Sequence, residues 1–119
     1  VFTTKCNKIH LNNPNAYGWV RNNKDKNLEI SCKKPFNKIP QDERPIVGTF
    51  FFKKSEFFIN SINLLFKKKN KIRNEYYLDM AIQESIKLGL KVGEVLVDNY
   101  IDLGNYKELE KWNNTNFTK

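Results

Sequence analysis

The stretch DNYIDLGNY, residues 98–106, sets Asp102 between an isoleucine and a leucine, two residues ahead of Gly104. A short strand ending at Tyr100-Ile101 would carry the carboxylate into a bend, with Gly104 supplying backbone freedom and Asn105 capping the helix that follows. Strand ends in α/β proteins are where ligands sit, so Asp102 is a candidate for a cation or a ligand hydroxyl. It is equally a standard turn residue. Both readings stand on this stretch alone.

Lys33-Lys34-Pro35 is the second candidate. Two lysines at the end of a strand, fixed by a proline, form an ammonium site for phosphate, each acting as a point charge on a flexible stem. Other chemistry is hard to assemble. Neither G-x-G-x-x-G nor G-x-x-x-x-G-K-[ST] occurs, so the chain has no glycine-rich cradle for a triphosphate. The single histidine, His10, lies in the Asn/Pro-rich stretch HLNNPNA and reads as exposed polar surface. Cys6 and Cys32 lack the spacing of a zinc site or a disulfide framework and read as free buried thiols.

The 119 residues carry 21 Lys+Arg against 13 Asp+Glu, a formal charge of +8 that favours phosphate-bearing partners. The densest cationic run, KKKNKIR at 67–73, follows an apolar helical stripe and reads as a solvated helix end, with binding to acidic partners as the alternative. No apolar run approaches the roughly 20 residues of a membrane span. The first ten residues lack the order of a signal peptide, so a soluble, cytoplasmic protein is expected.

The elements that must position these residues read as β, β-hairpin, β, α, α, β, α, an α/β pattern. VFTTK begins as a strand without any polar lead-in, as if in mid-fold. YGWVR and LEISCK flank a polar NNKDKN connection and form the hairpin. Three prolines make KKPFNKIPQDERP an edge loop, and IVGTFFF, 46–52, reads as a buried strand with Gly48 marking a bulge or a close backbone approach. A helix starts with Ser55 as N-cap, carrying Phe58, Ile62, Leu65 and Phe66 on one face. A second runs from about Glu75 to Leu88, capped by Asn74 and stopped by Gly89. KVGEVLVDNY is a strand, and a last helix from about Asn105 should bury Tyr106, Leu109 and Trp112.

In order, NPNAYGWV, ISCKKP, PIVGTFFFKK, NEYYLDMAI and YIDLGNYKELEKW resemble the C-terminal half of the sugar-1-phosphate nucleotidyltransferases, or nucleoside-diphosphate-sugar pyrophosphorylases. The resemblance covers about Val1 to Trp112, leaving 113–119 as a tail. Each motif is weak singly; five in order are specific. The resemblance implies part of a GT-A-like α/β fold, a mixed sheet flanked by helices, without its N-terminal nucleotide-binding half.

The activity it implies is attack of a sugar 1-phosphate on the α-phosphate of a nucleoside triphosphate, with pyrophosphate leaving. Carried over motif by motif, Tyr17 and Gly18 would line the sugar pocket, and Val47 and Gly48 would present backbone to the ring. Glu75 would sit near the sugar, Lys34 would hold its phosphate, and Asp102 would help bind Mg²⁺. Two departures follow. Relatives read Glu-Lys-Pro where this chain has Lys33-Lys34-Pro35, which leaves the sugar open. The family's glycine-rich loop, its Arg/Lys pair and its other metal-binding aspartate have no counterpart here, so the chain alone is expected to be inactive and to join the other half or self-associate. The rival readings are a non-enzymatic module for phosphosugars or anionic glycans, and a basic nucleic-acid-binding domain.

Overall fold

In a computed structural model of the protein, residues 1–22 and 28–116 are described. The elements are β1 (Phe2–Thr4), α1 (Lys8–Asn12), a 3-10 turn (Pro14–Ala16), β2 (Trp19–Asn22), β3 (Leu28–Ser31) and β4 (Arg44–Pro45). They continue with α2 (Ser55–Lys68), α3 (Leu78–Lys87), β5 (Val95–Val97) and α4 (Tyr106–Asn116). β1 pairs in parallel with β5, while β2 pairs antiparallel with β3 and β4. An antiparallel bridge from Thr3 to Ile46 gives β1 a neighbour of the opposite sense. The expected α/β class with mixed pairing and flanking helices is therefore present.

Two apolar clusters hold the elements together, and α3 contributes to both. Ile82 packs with Val1, Val20, Ile30 and Ile46, whereas Met80 and Ala81 pack with Cys32 and Leu65. α3 can approach α2 closely because small residues meet there: Ser61 Oγ lies 2.7 Å from Ser85 Oγ. One hydroxyl donates to the other, and the accepting one is free to donate back to its own helix, Ser61 to Phe57 O at 2.8 Å or Ser85 to Ala81 O at 3.1 Å. At the rim, Glu84 pairs with Lys68 of α2 and, at 2.8 Å, with Lys87. Burial would raise the Glu84 pKa, but the bonds from Lys68 and Lys87 outweigh it and hold it below its ordinary value.

The hairpin of β2 and β3 is as expected, with Val20 opposite Ile30, and its connection at 23–27 lies outside the described residues. The proline loop is closed by Glu43, whose carboxylate accepts from Phe36 N at 2.9 Å and Asn37 N at 2.6 Å. Gly89 ends α3 at φ +78° as expected, and Asn105 caps α4 by accepting from Lys107 N at 3.1 Å.

Several expectations change. HLNNPNA, 10–16, is not a plain loop, because its first residues belong to α1, which Asn7 caps in a reciprocal box with His10, and Pro14 opens the 3-10 turn. IVGTFFF is not a strand. Its ladder to β1 is limited to Val47 N to Phe2 O at 3.1 Å and Phe2 N to Thr49 O at 3.2 Å, because Gly48 turns the backbone to φ +81°. Phe51 beyond it is 75% exposed. The N-cap of α2 is Lys54, not Ser55, and Lys54 makes no side-chain cap.

α3 starts at Leu78 rather than near Glu75, because Arg73 and Asn74 are both left-handed, at φ 52° and 64°. Ile72 and Glu75 instead exchange two backbone bonds of 3.0 Å across that turn. α4 extends through Asn116, past the expected boundary at 112, and its apolar residues are not buried: Tyr106 is 74% exposed and Trp112 38%. Among the described residues, no helix is long and apolar enough to cross a membrane.

Candidate functional site

Five of the seven residues that the family resemblance points to line one cavity of about 390 Å³. They come from three separate places in the chain. Tyr17 and Gly18 enter β2 from the 3-10 turn, Val47 and Gly48 follow β4, and Asp102 lies between β5 and α4. The Tyr17 hydroxyl donates to Asp102 Oδ2 at 3.3 Å, bringing the first and last of these segments together.

Asp102 is both a turn residue and a cavity residue. Its Oδ1 accepts from Gly104 N at 3.1 Å, and Asn105 N donates to its carbonyl at 3.0 Å. Gly104 does not have a positive φ; its lack of a side chain matters because a Cβ would come within 3.2 Å of Asp102 Oδ1. One carboxylate oxygen is thus spent on the turn, and the other faces Tyr17.

Lys34 and Glu75 do not line this cavity. Lys34 is exposed, and Glu75 accepts the Tyr77 hydroxyl outside it. Lys33 takes the place on the wall. At φ 56° it turns back from the end of β3, donates to Ala16 O, and holds its ammonium 4.8 Å from the Tyr77 ring centroid.

Sequence reasoning also missed Asp79, in the first turn of α3. Its carboxyl group occupies the space a side chain at position 18 would need: a Cβ on Gly18 would lie 2.1 Å from Asp79 Oδ2. Burial raises the Asp79 pKa, while the Lys33 charge and a hydrogen bond with the Cys32 thiol oppose the rise. The same burial, with Asp79 nearby, pushes Cys32 up to about 12, so this thiol stays protonated and inert. A sequence signal existed. Asp79, Ile82 and Ile86 stand at i, i+3 and i+7, which places a carboxylate on the helix's inward stripe.

Behind Tyr17 the histidine is buried, not exposed as expected, with 2% of its surface accessible. His10 Nδ1 accepts from Asn7 N at 3.1 Å, so that nitrogen carries no proton. The imidazole meets Tyr17 edge-on at 4.7 Å and stacks near Tyr100 at 6.3 Å between centroids. Burial lowers its pKa, against the raising effect of Asp102. Tyr17 itself is pushed up to about 12, first by burial and then by Asp102, so it remains a hydrogen-bond donor.

The cationic run is engaged elsewhere. Lys68 pairs with Glu84, Lys71 sits over the Tyr76 ring at 5.2 Å, and Arg73 donates to Asn15 O at 3.4 Å. A larger cavity of about 660 Å³ is lined by Phe51, Phe52, Phe57, Leu90 and Val92 and offers packing surface rather than chemistry. Cys6 is half-buried and Cys32 buried, both free. Among the described residues, no three His, Cys, Asp or Glu side chains gather as a metal cluster. No protein-family model, no curated protein and no solved structure matches the chain.

Proposed function

We propose that this chain supplies the sugar-phosphate side of a sugar-1-phosphate nucleotidyltransferase with a GT-A-like fold. The observation that carries the proposal is the convergence of Tyr17, Gly18, Val47, Gly48 and Asp102 on one cavity. The motif resemblance names the same five positions from the sequence alone. The cavity has the makeup of a carbohydrate site, aromatic rings beside a few polar groups.

In the proposed reaction an oxygen of the sugar 1-phosphate attacks the α-phosphate of a nucleoside triphosphate, the new phosphoanhydride bond forms, and pyrophosphate leaves. Transfer of this kind depends on positioning and charge neutralisation more than on covalent help from the protein. The ring of the sugar would pack against Tyr17 and the Val47-Gly48 backbone. Lys34, next in the chain to Lys33 of the cavity wall and exposed, would hold the phosphate. Lys34 and Asp102 are the catalytic residues of the proposal.

Asp102 suits a share of a Mg²⁺ site rather than a whole one. It has one oxygen free of the turn, and Mg²⁺ is usually held by one or two carboxylates with phosphate oxygens and water completing the shell. Bound there, the ion would supply charge stabilisation to the transferring phosphoryl group.

The triphosphate cradle would come from another polypeptide segment, because the 119 residues hold no glycine-rich phosphate loop. Apolar side chains are exposed for such a segment to cover, among them Phe51 at 75%, Leu103 at 52% and Tyr106 at 74%. Calorimetry with α-glucose, α-galactose and α-mannose 1-phosphates tests the function. At least one should bind more tightly than its parent sugar and than inorganic phosphate. Equal binding of all phosphates, decaying log-linearly with salt, would mark a generic polyanion surface instead.

A further inference from the structure

We infer that Lys33 and Asp79 form a donor and acceptor pair that reads ring hydroxyls of the ligand, and so sets which sugar the cavity accepts. This rests on the sugar-phosphate reading and goes beyond it, because the motif resemblance gives Asp79 no role and has a glutamate where this chain presents Lys33.

Both side chains line the same cavity yet make no ion pair with each other or with any described residue. The Lys33 ammonium has three donors, and among the described residues only the Ala16 carbonyl accepts from it, beside the Tyr77 ring. Asp79 has about four lone-pair positions. The Cys32 thiol and its own backbone N–H occupy part of these. Each group therefore keeps hydrogen-bonding capacity within the cavity.

Their positions are also fixed. Lys33 is held by its left-handed turn at the end of β3, and Asp79 by the first turn of α3 pressed onto Gly18, where any Cβ would collide with its carboxyl group. A ligand with hydroxyl groups on neighbouring carbons satisfies both, one oxygen accepting from Lys33 and the next donating to Asp79. An apolar ring would leave both unpaired at a buried surface, which is how polar pockets reject analogues lacking a hydroxyl. A merely positioning role for Asp79 would shape the cavity without this dependence on ligand hydroxyls.

The test compares the three hexose 1-phosphates with methyl phosphate, which carries the same phosphate without ring hydroxyls, on wild type, Lys33→Met and Asp79→Asn. Each variant should weaken the best-bound hexose 1-phosphate by about tenfold or more, the size expected for a hydrogen bond to a charged group. Methyl phosphate should weaken by less than about threefold, since screening limits the loss of a charge not in contact with it. The ranking of the three sugars should also narrow. Parallel losses for hexose and methyl phosphates, or no loss at all, would overturn the inference while leaving the sugar-phosphate reading in place. Wild type that binds none of the hexose 1-phosphates would overturn both. Should Asp79→Asn fail to fold, Lys33→Met decides by the same criterion.

Discussion

The Tyr17 hydroxyl meets Asp102 Oδ2 at 3.3 Å although 85 residues separate them. Tyr17 is held by His10 and Trp19, whose rings lie 4.7 and 6.5 Å from its own, so it acts as a fixed post against which the turn after β5 is set. Tyr17→Phe removes the bond and leaves the packing. It should lower stability by about 1 kcal/mol, read as a shift of the urea midpoint at constant slope. Amide shifts should be confined to 100–105; changes spread through β2 would mean the ring, not the hydroxyl, is the anchor.

Asp102→Asn keeps the acceptor for Gly104 N while removing the charge. In the proposed enzyme, assembled with a triphosphate-binding segment, turnover should fall far more than sugar-phosphate affinity, because charge stabilisation counts most in the transition state. Raised Mg²⁺ should restore part of the loss. Steady-state kinetics across a Mg²⁺ series checks this, and unchanged turnover would leave Asp102 as a turn residue alone.

Gly18→Ala places a methyl group into the Asp79 carboxyl and 3.0 Å from Ile46 Cδ1. Overpacking of this kind costs about 1–3 kcal/mol. In an Asp79→Ala background the first clash is absent, so the same substitution should cost less there. Chemical denaturation of the four proteins of this double-mutant cycle gives the coupling directly; additive costs would show that Gly18 and Asp79 do not share the space.

Folding lowers the His10 pKa, so below about 6.5 the unfolded chain takes up a proton that the folded chain resists. The contribution is intact above that pH and is lost as the pH falls toward the lower folded value. Protonating Nδ1 would also break its bond from Asn7 N and loosen the ring behind Tyr17. Asp79 acts in the opposite sense, since its raised pKa makes acidification favourable to the fold. The His10 effect is therefore read as the difference between wild type and His10→Gln. That difference should shrink between pH 6.5 and 5, and the lone imidazole signal should titrate below 6.5. A signal titrating at or above 6.5 would contradict the buried, neutral ring.

The strands and helices legible in the sequence are those whose signals are local. β1, the β2–β3 hairpin, α2, the stop at Gly89 and the Asn105 cap all follow from alternation, periodicity and turn chemistry. The failures are nonlocal. IVGTFFF has strand composition, but a ladder depends on neighbours, and the φ of +81° at Gly48 interrupts the one it has. His10 looked exposed because burial of a polar ring depends on Tyr17 and Tyr100 arriving from elsewhere. Lys33 and Lys34 are indistinguishable by type; only the left-handed turn at Lys33 decides which ammonium faces the cavity. The apolar residues of α4 suggest burial, but burial needs a neighbour, and Tyr106 stands 74% exposed.

The most direct test is an amide-resolved titration of the chain with the hexose 1-phosphate that binds best, with and without Mg²⁺. The account predicts saturating shifts at Gly18, Lys33, Gly48, Asp79 and Asp102, those near Asp102 growing with Mg²⁺, and none at 67–73. Shifts confined to 67–73, or none at the cavity at saturating ligand, would contradict it.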